Sequence, residues 1–253
     1  MYRVHPQTEK LVELVKSGVI GTVRIIRSSF GFNMGSYRPE HRLFANDTAG
    51  GGILDVGGYP VSMARLISGA AEGKAFLEPE KVSGVAHLGQ SGVDEWASAV
   101  LKFPNEIIAE VSCSIMAQQD NVLHHRLRGP DRGQDFWFAS GHKGGVGKIE
   151  IFKGGSRETV ELREDRWLYS FEADAAGDAI RAGKTEFSSP GMSWADSIGN
   201  LRVLDQWRAS VGLEYGVEKS RQTHDKHCRR CDRARATAFR SVKFPAFPSR
   251  PRS

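Results

Sequence analysis

Asp55 and Tyr59 stand four residues apart inside the stretch Gly50-Gly51-Gly52-Ile53-Leu54-Asp55-Val56-Gly57-Gly58-Tyr59-Pro60. On a helix that spacing puts a carboxylate and a phenol on one face. A phenol beside a carboxylate suits proton transfer at an alcohol carbon: the tyrosine takes the hydroxyl proton as hydride leaves. A free tyrosine titrates at about 10, so this chemistry also calls for a nearby cation to favour the phenolate. The sequence marks no lysine for that part. Five glycines surround the pair, and each costs up to about 1 kcal/mol relative to alanine inside a helix. Glycines so placed let backbone approach a ligand closely or take unusual dihedrals. A plainer alternative stays open, in which Asp55 complements a helix dipole and Tyr59 is a core aromatic with a satisfied hydroxyl.

The elements that must hold this pair are legible from periodicity. Thr8 is expected to cap a helix with Leu11, Val12, Leu14 and Val15 on its apolar face and Gly18 as its stop. A strand follows from Val23 to Phe32, with Ile26, Phe30 and Phe32 on the face opposite Val23 and Ile25. Residues 33–49 read as a long polar loop of the kind that is often functional. The glycine-rich stretch then enters a helix through Val61, Met63, Leu66 and Ile67. Further strands are predicted over 81–88, 96–103, 107–115, 121–128, 148–152 and 157–162, the second and third forming a hairpin about Pro104-Asn105. Ala109, Val111, Cys113 and Ile115 alternate with Glu110, Ser112 and Ser114, as in a sheet covered on one side. Two helices close the body. One turns Phe171, Ala175, Ala176, Ala179 and Ile180 inward; the other turns Trp194, Ile198, Leu201, Leu204, Trp207 and Val211 inward. Runs of one element type predict an α+β fold, a large and mostly antiparallel open sheet with helices packed on one face. The folded domain spans 1–219, followed by a tail over 220–253.

Composition narrows the function classes. With 40% hydrophobic and 26% charged residues the chain has ordinary globular usage, which excludes wholesale disorder. No apolar run approaches the roughly 20 residues that span a bilayer, and the first residues lack the apolar segment of a secretory leader. Three cysteines make no disulfide framework, so a cytoplasmic location is expected. The G-x-G-x-x-G spacing of a dinucleotide-binding unit does not occur. The net charge of +5 is unevenly placed: residues 219–253 hold eleven Lys and Arg against Asp225 and Asp232, which makes the tail +9 and the body −4. A mildly acidic body argues against nucleic-acid binding by the folded part.

Within the tail, His224, His227, Cys228 and Cys231 offer four zinc-type ligands. His227 and Cys228 are adjacent, which strains tetrahedral chelation, so no metal is expected. A basic arm can bind phosphates, but Phe239, Phe244 and Phe247 lie beyond the charge cluster. The tail is expected to be a solvated, unstructured extension.

Three segments carry a family resemblance. They are Met1-Tyr2-Arg3-Val4-His5-Pro6-Gln7, Gly18-Val19-Ile20-Gly21 and the glycine-rich stretch from Gly50 to Pro60, with Trp194-Ala195-Asp196-Ser197 and Asn200 to Asp205 similar to a last helix. Together, over residues 1 to about 219, they resemble the Gfo/Idh/MocA oxidoreductase family. The resemblance implies an N-terminal Rossmann domain followed by an α+β domain whose sheet supports dimer or tetramer contacts. It also implies oxidation or reduction of sugars, polyols or dihydrodiols with NAD or NADP. The family joins a lysine of a Glu-Lys-Pro motif, from the Rossmann half, to an Asp and to a His or Tyr four residues later; Asp55 and Tyr59 match the last two. Arg3 and His5 match a segment that leaves the Rossmann domain near the substrate, which makes them substrate-binding candidates. This sequence opens on that segment, so the Glu-Lys-Pro lysine and the dinucleotide-binding residues are expected to lie outside residues 1–253. The expectation is a substrate-binding and oligomerisation domain of an NAD(P)-dependent sugar, polyol or dihydrodiol oxidoreductase, incomplete as an isolated enzyme and homo-oligomeric through its sheet. The alternative is a non-catalytic sugar-binding or assembly module using the same pocket or sheet.

Overall fold

The computed structural model describes residues 1–121, 123–124, 137, 143–153 and 155–219. They fall in two compact units, residues 1–213 and, of the second unit, residues 214–219. In the second, residues 216–219 form a helical turn; the histidine-cysteine cluster and the basic tail from 220 onward lie outside the described residues, as does most of the strand expected to run to 128.

The first helix, α1 (Pro6–Lys16), starts two residues before the expected cap. Pro6 suits the first helical position because its φ is already helical and its missing N–H costs nothing there. His5 is extended (φ −82°, ψ 141°) and its Nδ1 accepts the Gln7 N–H at 3.1 Å. The cap is therefore His5. Thr8 is buried inside the first turn and donates its hydroxyl to the Tyr2 carbonyl at 2.7 Å. Gly18, at φ 71°, ends the helix as expected.

Five strands form the main sheet: β1 (Ile25–Gly31), β2 (Lys81–Leu88), β3 (Asp94–Lys102), β4 (Ile108–Ser114) and β5 (Leu123–His124). Their order is β2-β3-β4-β1-β5. All neighbours are antiparallel except β1 and β4, which run parallel. The fold is thus α+β with a mostly antiparallel open sheet. Register sets its two faces. Ala97 pairs with Cys113, Ala99 with Val111 and Leu101 with Ala109, and all six are buried, together with Ile26 and Phe30 of β1. On the other face Ile25, Val85, Trp96, Val100 and Ile108 remain exposed. Ser114 departs from the alternation: it is buried, and its hydroxyl donates to the Glu95 carbonyl at 3.0 Å.

Helices cover the buried face. α2 (Gly52–Asp55) lies against β3 and β4, α3 (Gly58–Ala71) against β1 and β4, and α5 (Trp194–Ser210) against β2. α3 also touches α1 and α5. Enclosed on several sides, it buries residues around most of its circumference, Val61, Met63, Ala64 and Leu66 among them. β6 (Gly145–Lys153) and β7 (Ser156–Glu164) make a separate two-stranded sheet, and α4 (Ser170–Arg181) follows.

Both late helices turn differently from the apolar pattern. In α5, Leu204 and Trp207 are buried as expected, but Trp194, Ile198 and Leu201 are 66%, 51% and 59% exposed. The inward stripe is Asp196, Gly199, Asn200, Val203, Leu204 and Trp207. An ion-pair hub sets this rotation: the buried Arg65 of α3 pairs with Asp196 and with Glu78, while Arg3 reaches Asp196 Oδ2 at 2.7 Å. Unpaired buried guanidinium groups would cost several kcal/mol, more than a leucine gains by turning inward. In α4 only Phe171 is buried, and Ile180 is 74% exposed.

Candidate active site

The backbone around Asp55 and Tyr59 is shaped by contacts that leave no room for side chains. Gly51 takes φ 105°, a region reserved for glycine, and its N–H donates to the Leu43 carbonyl at 2.8 Å. A Cβ at Gly51 would overlap Asp94 Oδ1, and one at Gly57 would stand 2.5 Å from the Ile53 carbonyl oxygen. These glycines therefore admit the protein's own atoms, where the sequence suggested approach of a ligand. The close fold-over at Gly57 also breaks the helix: Gly57 donates to Gly52 at 2.8 Å, five residues back, and Tyr59 donates to Val56 at 3.1 Å. Asp55 consequently ends α2 and Tyr59 lies in the first turn of α3. The pair is carried on two short-linked helices, not on one face of a single helix.

Asp55 is 17% exposed at its side chain and pairs with Arg42 at 2.7 Å. Arg42 comes from the loop over 33–49, where it starts a 3-10 turn (Arg42–Phe44) anchored by buried Leu43 and Phe44. A small cleft of about 200 Å³ opens here, lined by Arg42, Thr48, Gly51, Leu54 and Asp55. Tyr59 is half-buried. Its ring meets Phe30 edge-on at 4.9 Å, Tyr2 at 5.5 Å and Trp137 at 5.8 Å, and the Tyr2 hydroxyl donates to its carbonyl at 3.3 Å. Burial pushes the Tyr59 phenol above its ordinary value, and Tyr2, Tyr169, Asp55 and Glu172 add to the rise. The groups that act on it thus hold the proton on; none of them is the cation a phenolate needs.

Arg3 and His5 lie beneath this surface. Arg3 is 4% exposed and its guanidinium is divided among Asp196, the Ser62 hydroxyl at 2.6 Å and the Pro190 carbonyl at 2.6 Å. His5 is fully buried, caps α1 and packs edge-on against Phe171 at 4.8 Å. Burial draws its imidazole below the ordinary value, so it is neutral. The structure brings Asp55 and Tyr59 to one region, and it joins Arg3 and His5 to the frame through Tyr2, which lies between Arg3 in sequence and Tyr59 in space.

Two participants escaped sequence reasoning. Arg42 had a partial signal, since it lies in the loop expected to be functional. Asp94 had none: its carboxyl accepts the Ile53 N–H at 2.7 Å from 41 residues away. A dinucleotide finds no phosphate cradle in the glycine-rich loop, because the Cβ directions of Gly50, Gly51 and Gly57 are filled by protein atoms. The loop residues do not fit that group.

The family model described as the GFO/IDH/MocA C-terminal domain matches residues 8–149, and the chain belongs to this family. Trans-1,2-dihydrobenzene-1,2-diol dehydrogenase of Homo sapiens is 32% identical over 232 residues, and that of Mus musculus 29% over 226. D-xylose 1-dehydrogenase (NADP(+)) 2 of Haloferax volcanii is 28% identical over 219. Each alignment covers 86% of this chain and 62% of the relative, so the chain spans about three-fifths of the length of these curated proteins. Among solved structures, KijD10, a 3-ketoreductase from Actinomadura kijaniata in complex with NADP and TDP-benzene, is 20% identical with a TM-score of 0.63, over 83% of this chain and 61% of that one. An aldose-aldose oxidoreductase from Caulobacter crescentus complexed with glycerol is 21% identical with a TM-score of 0.59, over 83% and 59%. These likenesses establish a shared fold. Among the described residues no helix is long and apolar enough to cross a membrane.

Proposed function

We propose that this domain forms the substrate side of an NAD(P)-dependent oxidoreductase acting on a CH–OH group of a sugar, polyol or dihydrodiol, with Tyr59 moving the proton. The observation that carries the reading is the Asp55–Tyr59 pair at the junction of α2 and α3, where Asp55 lines the cleft that Arg42 borders and acts on the Tyr59 phenol. The relatives' names support the substrate class. The dinucleotide supplies the hydride chemistry when bound, and residues other than the described glycine-rich loop hold it. Within this chain, Tyr59 keeps its proton at neutral pH and is set up to donate it to a carbonyl oxygen. In the oxidative direction a cation brought against the phenol is required, the part that the family resemblance gives to the lysine of a Glu-Lys-Pro motif, a motif that does not occur within residues 1–253. Asp55 orients the site with Arg42, and Arg3 and His5 support it from below by fixing the segment that carries Tyr2. The domain ends its body at about residue 219 in this reading.

Residues 1–253 as an isolated protein should show no saturable binding of NADH or NADPH. Combined with a dinucleotide-binding half from the family it should turn over substrate, and Tyr59→Phe should lower kcat by about 10²- to 10⁴-fold with the fold intact. Undiminished turnover in Tyr59→Phe would refute the assignment.

The open sheet face supports a homo-oligomer. Val85 is 73% exposed and Val100 46%, with Ile25, Trp96 and Ile108 beside them. A trough of about 550 Å³ crosses this face between Ser83, Val85, Ser98, Val100 and Ser112, and Arg27 pairs with Glu110 at 2.6 Å along it. An apolar surface of this kind is satisfied by a second copy. Val100→Glu should convert an oligomer to monomer in light scattering; a monomeric wild type would end this part of the reading.

A further inference from the structure

Asp94 opens β3 with no exposed surface. Its Oδ2 accepts the Ile53 N–H at 2.7 Å, while Oδ1 has no hydrogen-bond partner among the described residues. The glycine-rich loop closes round this carboxyl with backbone alone: a Cβ on Gly51 would overlap Oδ1, and one on Gly52 would lie 3.2 Å from Oδ2 and 3.4 Å from Cys113 Sγ. α2 is a single turn, and its own N-cap, Gly51, supplies no side-chain hydrogen bond. Four N–H groups at a helix start need outside acceptors, and here one acceptor is brought from another strand. Asp55 ends the same turn and donates its N–H to the Gly51 carbonyl at 3.2 Å. Gly57, folded against the Ile53 carbonyl, passes the position of the turn on to Tyr59.

We propose that Asp94 is a positioning residue for the Asp55–Tyr59 pair, its carboxyl serving as the cap, supplied from across the chain, that holds the α2 turn in place. The inference rests on the reading of that pair as the reacting site, but its geometry does not.

The clamp is titratable. Burial pushes the Asp94 carboxyl up to about 7, and the N–H groups of Ile53, Asp94 itself and Gly52 pull it back, with Arg208 adding a weaker pull. Arg208 of α5 acts on it directly, Cys113 of β4 feels both it and Asp55 of α2, and Glu95 follows it in β3. Burial holds the Cys113 thiol well above its ordinary value, so it stays neutral and adds no charge. With Oδ2 occupied by Ile53, a proton goes to Oδ1, against Gly51. Its arrival turns a charge-assisted hydrogen bond at Ile53 into a neutral and weaker one.

The test follows amide resonances of the isotope-labelled full chain from about pH 5.5 to 8.5, a window that brackets the raised carboxyl. The Ile53 amide should move downfield with a midpoint near 7, and the amides of Asp55 and Tyr59 should follow with the same midpoint. Asp94→Asn, which keeps an acceptor and loses the charge, should flatten all three. A stationary Ile53 amide in the wild type overturns the proposal, and so does a titration that survives in Asp94→Asn. Ile53 moving while Asp55 and Tyr59 stay still also overturns it, since that is a local cap and no more. Should Asp94→Asn fail to fold, the wild-type titration decides alone. None of these readouts needs turnover, so a failure here is separate from a failure of the proposed reaction.

Discussion

Two carboxylates are buried equally deeply in this domain and are treated in opposite ways. Asp196 of α5, 1% exposed, sits between the guanidinium groups of Arg3 and Arg65. Asp94 of β3, at 0%, meets backbone N–H at one oxygen and, among the described residues, no hydrogen-bond partner at the other. The first arrangement joins three distant segments: the N-terminal turn, α3 and α5. The second joins a strand to the one-turn helix beside the candidate site. A carboxylate enclosed by fixed cations makes a rigid joint. One shut away from water, with backbone amides as its donors and only a weak pull from Arg208, is left able to take a proton near neutrality. Rigidity thus lies in the hub, and protonation is left open where the chemistry is proposed.

Breaking the hub should give the largest effect. Asp196→Ala leaves Arg3 and Arg65 buried with one partner fewer each, and a loss of about 3–5 kcal/mol is expected in urea denaturation. A loss under about 1 kcal/mol would mean that water replaces the carboxylate and that the two buried acids are alike after all.

The second effect has the opposite sign and appears only against pH. Asp94 titrates at 3.8 when free and at about 7 in the fold. Between those values the unfolded chain has lost the proton that the native state still holds, so stability falls as pH rises through this window and levels off above it. Each tenfold gain in proton affinity on folding is worth about 1.4 kcal/mol, which limits the whole fall to at most ~4 kcal/mol. Asp94→Asn cannot ionise, so its stability relative to wild type should improve by up to that amount between roughly pH 4 and 8, where the carboxyl loses its proton first in the unfolded chain and then in the native one. A difference that stays constant across the range would show that the Asp94 carboxyl titrates normally.

How far the sequence reveals this depends on the reach of each interaction. β2 is legible at its full bounds, and the hairpin of β3 and β4 to within two residues, because alternating apolar residues report a half-covered sheet directly. The start of α1 is misread because histidine is a rare cap, although Pro6 marks the position. The glycines near Asp55 are visible as unusual, but their purpose is not: Gly51 answers to Asp94, far off in the chain. The rotation of α5 is hidden for a related reason. Apolar periodicity registers leucines and tryptophans, whereas the partner that turns this helix is Arg65, reached through Asp196. Polar hubs formed by distant residues leave no local pattern.

That rotation yields the smallest expected effect and the cleanest contrast with the hub. Leu201 reads from its spacing as a core residue, and truncating a core leucine costs about 2–5 kcal/mol. In the structure its side chain is 59% exposed on the outer stripe of α5. Glutamine has nearly the same helix propensity as leucine, so Leu201→Gln should change the stability of this chain by no more than about 0.5 kcal/mol. A loss of about 2 kcal/mol or more would mean that the helix is turned as its hydropathy suggests. Asp196 would then point away from Arg3 and Arg65, and the rigid joint described above would not exist.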